Sequence, residues 1–180
     1  MRAETLDGLR ILTPRVFEDE RGCFWESFNQ ERFNEAVGRE VVFIQDNHSV
    51  SRRWVLRGLH FQKGRPQAKL VRVASGLIFD VTVDLRPNSP TFGHWTGIEL
   101  SAADRRQLWV PEGLAHGFLV LSEQAEVAYK VNAPYAPECE RTLRWDDPAV
   151  GIAWPLPGGA EPILSAKDLN GLAWGQASGD

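Results

Sequence analysis

Residues 55–76 read Val55-Leu-Arg-Gly-Leu-His-Phe-Gln-Lys-Gly-Arg-Pro-Gln-Ala-Lys-Leu-Val-Arg-Val-Ala-Ser-Gly76. The stretch carries Arg57, His60, Lys63, Arg65, Lys69 and Arg72 and no carboxylate. Lys69-Leu70-Val71-Arg72-Val73 alternates as a strand with one packed face does, and Leu56 to Phe61 reads as a second short strand. Gly64 and Pro66 mark a turn between them, which predicts a hairpin-like unit. Such a unit would aim a guanidinium, an imidazole and an ammonium at one region. A solvated basic loop is the plain alternative. It is disfavoured because His60 and Lys69 sit inside apolar strand patterns, where an unpaired charge is costly. An anion site with one group able to move protons at neutral pH is the reading that follows.

The same alternation recurs on either side. Leu77-Ile-Phe-Asp-Val-Thr-Val-Asp-Leu85 puts Phe79, Val81, Val83 and Leu85 on one face and Asp80, Thr82 and Asp84 on the other, dividing a packed layer from a polar one. Short strands are expected at Leu9–Leu12, in the run from Cys23 to Phe28, from Val41 onward, in Trp95–Leu100, near Trp109, after His116 and around Tyr129. Residues 17–21 read as a polar turn. One helix is expected, near Gln30–Val37, with Asn29 as N-cap and Gly38 as its stop. Phe33, Ala36 and Val37 share a face of that helix. The stretch beyond Trp145 is rich in Pro, Gly and Trp and resembles irregular chain laid over a sheet. Many short strands with close-set turn signals predict an all-β domain spanning 1–180, a double-sheet sandwich or barrel with one or two short helices.

Composition narrows the function classes. The 180 residues carry a net charge of −4, so locally clustered cations suit a small anionic ligand better than nucleic acid or a membrane surface. No apolar run approaches the roughly 18 residues of a membrane span. The N-terminal Met-Arg-Ala-Glu-Thr lacks an apolar signal core. Cys23 and Cys139 read as free thiols, and a cytoplasmic protein is the expectation.

Pro111, Gly113 and His116 form P-x-G-x-x-H, which resembles the second signature of cupin jelly rolls. The first signature is reduced to His60, so the ligand set of a catalytic metal is missing and a metal-free cupin is expected. A more specific likeness covers nearly the whole chain. D-E-R-G-C-F-W-E-S-F, F-I-Q-D-N-H-S-V-S, L-R-G-L-H-F-Q, Q-A-K-L-V-R-V, Q-L-W-V-P-E-G-L-A-H-G-F-L-V-L and L-S-A-K-D, in that order, resemble dTDP-4-dehydrorhamnose 3,5-epimerases. Trp54, Leu114 and the Asn132-Ala133-Pro134 run depart from the family pattern, the last beside the presumed substrate wall.

The resemblance implies a cofactor-free homodimer, formed by strand exchange at the N-terminus, acting on a dTDP-linked 4-keto-6-deoxy sugar. His60 would be the base, Asp168 the carboxylate that orients it, Lys69 the cation near the C4 oxygen and Tyr129 the proton donor. Arg21 and Arg57 would bind the diphosphate. Gln45, Asn47 and Glu26 would contact the nucleotide, and His116, Glu140 and Lys167 the substrate. His48 and His94 are left as surface or structural residues. Three alternatives stay open: a mono-epimerase or ketoisomerase of the same substrate class, a non-catalytic sugar-nucleotide-binding cupin, and a metal-dependent cupin dioxygenase.

Overall fold

The computed structural model describes Met1 and residues 5–179. Two five-stranded antiparallel sheets stack face to face. The first contains β1 (Arg10–Leu12), β4 (Gln45–Arg52), β6 (Lys69–Ser75), β9 (Gln107–Val110) and β11 (Gln124–Val131), in the order β1-β9-β6-β11-β4. The second contains β5 (Leu56–Gln62), β7 (Leu77–Asp84), β8 (Trp95–Ser101), β10 (Leu114–Val120) and β12 (Glu140–Thr142), in the order β12-β5-β10-β7-β8. A separate hairpin joins β2 (Val16–Asp19) to β3 (Gly22–Trp25). The architecture is an all-β, cupin-like jelly roll.

Three apolar cores arise from the period-2 pattern of these strands. Val71, Val73, Ile78, Leu108, Leu114, Phe118 and Val127 fill the space between the sheets. Leu59, Val81, Val83 and Ala115 point out of the second sheet, against Ile152, Trp154, Leu172 and Trp174 of the C-terminal tail. The tail does cover a sheet, as its composition suggested. It also carries two short helices, α2 (Ala166–Leu169) and α3 (Trp174–Ala177), so the described chain holds three helices rather than one or two. The outer face of the first sheet is covered by α1 (Gln30–Val37). Asn29 caps it by accepting from the Arg32 amide at 3.1 Å, and Gly38 ends it in the left-handed conformation. Phe33 is its buried anchor, ringed by Phe28, Phe43 and Trp109, whereas Ala36 is exposed.

Three local expectations are corrected. Residues 16–19 pair as a strand, so the polar turn is confined to the hairpin tip. The strand expected from Cys23 to Phe28 stops at Trp25. Val41–Ile44 is not strand: Val41 packs under α1 while Val42 and Ile44 are exposed, and pairing begins at Gln45. The polar face of β7 turns inward. Asp80, Thr82 and Asp84 share the side of Ile78 and point between the sheets.

Asp84 ends that row in a donor-saturated clamp. Its carboxylate accepts five hydrogen bonds: from the Arg86 amide, Nε and Nη2, from Ser89 Oγ and from Thr91 Oγ1, at 2.6 to 3.0 Å. Burial alone would raise its pKa. The Arg86, Ser89 and Thr91 bonds overwhelm that effect and bring it down to about 2.

Candidate active site

β5 and β6 do not form the expected hairpin. The turn between them crosses from one sheet to the other, so His60 and Lys69 meet across the sandwich interior rather than side by side. A cavity of about 390 Å³ opens there. Arg57, His60, His116 and Glu140 line it from the second sheet, and Gln45, Asn47, Lys69 and Tyr129 from the first. Lys167 and Tyr135 stand at its wall.

Arg57 and His60 are three residues apart, a spacing that puts strand residues on opposite faces. A bulge corrects this. His60 pairs with His116 and Arg57 with Phe118, with the register shifting between them. The shift needs β5 and β10 to touch. A Cβ on Gly58 would lie 2.5 Å from Gly117 Cα, and one on Gly117 would lie 2.5 Å from the Arg57 carbonyl oxygen. Gly58 also holds φ at 130°, a region that side chains avoid.

His60 Nε2 lies 2.5 Å from Asp168 Oδ1, which leaves the other ring nitrogen for a substrate. Asp168 is buried on α2, and Ser165 Oγ donates to its second oxygen at 2.8 Å. Burial would raise the Asp168 pKa, but the bonds from His60 and Ser165 hold it below the usual carboxylate value. The pair is therefore a carboxylate that orients an imidazole.

Lys69 is 8% exposed and has no hydrogen-bond or ion-pair partner among the described residues. Burial lowers its pKa to about 8, against the attraction of Asp80 and Glu140. Its ammonium is available to an incoming oxygen. Tyr129 lines the cavity from the next strand of the same sheet, half-buried, with its pKa raised by burial and Glu140 against the pull of Arg57. Its phenol keeps its proton at neutral pH. Glu140 accepts from Tyr135 Oη at 2.8 Å and from Lys167 Nζ at 2.7 Å. Burial would raise its pKa, but these two donors keep it low. Arg57 is held by Ser51 Oγ at 2.9 Å, and Gln45 donates to Asn47 at 2.8 Å.

The fold thus brings His60, Lys69, Tyr129, Gln45, Asn47, Arg57, His116, Glu140 and Lys167 to one cavity, with Asp168 behind His60. Arg21 and Glu26 are not part of it. Arg21 sits at the exposed tip of the β2–β3 hairpin, ion-paired to Asp19, and Glu26 follows β3, paired with Arg32 at 3.0 Å. Their hairpin belongs to neither main sheet. His48 is paired with Glu126 outside the cavity. Three contributors escaped the sequence reading. Tyr135 and Gln62 line the cavity, and Asp80 supports His116 from behind, with its oxygens 2.8 and 3.0 Å from Nε2. A carboxylate inside an apolar strand was the available signal for Asp80. Among the described residues no group of three His, Cys, Asp or Glu side chains is placed to hold a metal ion.

A family model described as dTDP-4-dehydrorhamnose 3,5-epimerase matches residues 3–176. The enzyme of that name from Salmonella typhimurium is 58% identical over 159 residues, covering 88% of this chain and 86% of its own. The crystal structure of the enzyme of that name from Elizabethkingia anophelis superimposes with a TM-score of 0.91 at 47% identity, covering 97% of this chain and 95% of its own. That of a dTDP-6-deoxy-D-glucose-3,5-epimerase from Legionella pneumophila, in complex with dTDP-4-keto-L-rhamnose, gives 0.87 at 47% identity, covering 93% and 88%.

Proposed function

The chain belongs to the dTDP-4-dehydrorhamnose 3,5-epimerase family, and from that membership we propose that it converts dTDP-4-dehydro-6-deoxy-D-glucose to dTDP-4-dehydro-L-rhamnose by inverting C3 and C5. It is an isomerase, and removing a proton beside a ketone calls for no redox cofactor. The observation that carries the assignment of roles is the placement of His60, backed by Asp168, and of Lys69 and Tyr129 on facing sheets around one cavity.

His60 takes the proton from the carbon next to the C4 ketone. The C–H pair moves into a new C=C bond and the ketone oxygen becomes an enolate, whose charge the Lys69 ammonium stabilises. Tyr129, on the opposite sheet, gives its phenolic proton to the other face of that carbon, and the configuration inverts. The imidazolium and the phenolate then return to their starting states by exchange with solvent, and the second carbon follows the same course. Arg57 suits the diphosphate, where a planar fork matches paired phosphate oxygens. Gln45 and Asn47 offer amides to the nucleotide, and His116, Glu140 and Lys167 contact the sugar side.

The active assembly in this reading is a homodimer. The β2–β3 hairpin stands off the sheets with Phe17 and Phe24 exposed, and β4 is an open sheet edge beside the cavity. Exchange of the N-terminal hairpin would cover both and would carry Arg21 and Glu26 to the partner's cavity. Residues 1–180 act as one catalytic domain. Among the described residues no helix is long and apolar enough to cross a membrane, and free Cys23 and Cys139 suit a reducing cytoplasm.

The test is isotope exchange. Run in heavy water with dTDP-4-dehydro-6-deoxy-D-glucose, the enzyme should leave deuterium at both C3 and C5, read by NMR of the recovered sugar. Label at a single carbon would make it a mono-epimerase. No label despite tight nucleotide-sugar binding would make it a binding protein.

A further inference from the structure

Asp80 shares the inward face of β7 with Asp84 but does not line the cavity. His116 stands between it and the cavity, and both residues are buried, at 1% and 7% exposure. His116 Nε2 is the only hydrogen-bond partner of the Asp80 carboxylate among the described residues. Two carboxylate oxygens offer about four acceptor sites, so this group is left far from satisfied. Burial accordingly raises its pKa, against the pull of His116 and then Lys69.

The titratable groups around Lys69 come from several strands. His60 is on β5, His116 on β10, Tyr129 on β11, Glu140 on β12 and Asp80 on β7, with Arg57 and Lys167 also at the cavity. The anions that act on Lys69 are Asp80, the stronger, and Glu140. Glu140 is already bound by Lys167 and Tyr135. Asp80 has no lysine or arginine in contact among the described residues.

We propose that Asp80 is a positioning residue for the epimerisation, fixing the His116 ring at the back of the cavity and keeping the Lys69 ammonium charged at neutral pH. The proposal rests on the reading of Lys69 as the cation that stabilises the enolate. Burial already takes Lys69 down to about 8, so little margin remains before the enzyme loses that charge. Neutralising Asp80 removes the larger of the two attractions that oppose the fall.

The experiment follows the lysine Cε resonances of ¹³C-lysine-labelled protein through pH, without substrate, with Lys69 assigned by its loss in Lys69→Arg. In Asp80→Asn the Lys69 midpoint should fall by about one pH unit or more. The basic limb of kcat should move down with it, so that turnover drops about fivefold at pH 8 and about tenfold above pH 9, with KM little changed. Asp80→Glu, which keeps the charge, should restore the limb. An unmoved Lys69 midpoint in Asp80→Asn, or a loss of kcat that is equal at every pH, would overturn the proposal. If Asp80→Asn does not fold, His116→Asn decides. It leaves the carboxylate in place, so Lys69 must titrate no lower than in the native protein, and a fall there would assign the effect to His116. The titration uses no substrate, so its failure is separable from a failure of the isotope test.

Discussion

Asp80 and Asp84 lie on one face of one strand, equally buried, with opposite surroundings. Asp84 has its acceptor sites filled by the next few residues of its own chain and titrates near 2. Asp80 meets a single imidazole donor and titrates above the ordinary value. The difference is one of supply. Where a loop follows the strand, backbone and hydroxyl donors are close at hand and a buried carboxylate becomes a fastener. In mid-strand the neighbouring amides are spent on the sheet, so a buried carboxylate can turn only to side chains across the interior, and here those side chains face the cavity. Donor saturation marks the stability region and donor scarcity the reactive one.

Substitutions can break or sharpen this contrast. The largest effect is expected at His60→Ala, which should cut deuterium exchange at C3 and C5 by about 10³-fold or more. Its thermal midpoint should fall only modestly, since the ring is partly exposed and Ser165 still donates to the Asp168 carboxylate left behind. A midpoint that collapses would show the cavity to be as structural as the clamp. Asp84→Asn should do the reverse. Removing one partner of a buried ion pair costs about 3–5 kcal/mol, visible as a lower urea midpoint, while turnover per folded molecule is unchanged. Tyr129→Phe keeps the ring and removes the donor. Net inversion should fall about 10²-fold while proton removal falls less, so labelled but uninverted sugar should accumulate.

The smallest effect is a pH dependence. The folded Asp84 pKa lies near 2, below the ordinary value of 3.8, so the unfolded chain takes up the proton first as pH falls. Its contribution is therefore complete above pH 4 and is lost between about pH 4 and pH 2, on the order of 2 kcal/mol. Urea titrations across that window should show the loss in the native protein and not in Asp84→Asn.

Strand alternation and the Asn29 and Gly38 helix stops were legible because they are local. His60, Lys69, Tyr129 and Asp168 were legible through motifs that resemble a family. The rest depends on relations that no local pattern carries. Whether the turn after Gln62 folds back within a sheet or crosses between sheets is decided by which surface the following strand buries, and Val71 and Val73 bury theirs on the opposite layer. The placing of Arg57 beside His60 depends on a bulge that alternation cannot register. Val41–Ile44 has the composition of a strand, but α1 reaches only Val41 and Phe43. What the polar face of β7 meets was not legible, because polarity in one strand says nothing about what stands opposite it.

The contact of Gly58 with Gly117 bears on how the enzyme could be altered. Each leaves no room for even a methyl group against the other's backbone, and the two imidazoles are carried on the strands that meet there. This wall of the cavity is therefore closed to gradual variation. A library aimed at new substrates would find its useful diversity on the facing strands and around Tyr135. Changes at either glycine would register as lost soluble protein rather than altered preference, and a lineage adapting to another sugar would have to keep the pair while everything around it drifts.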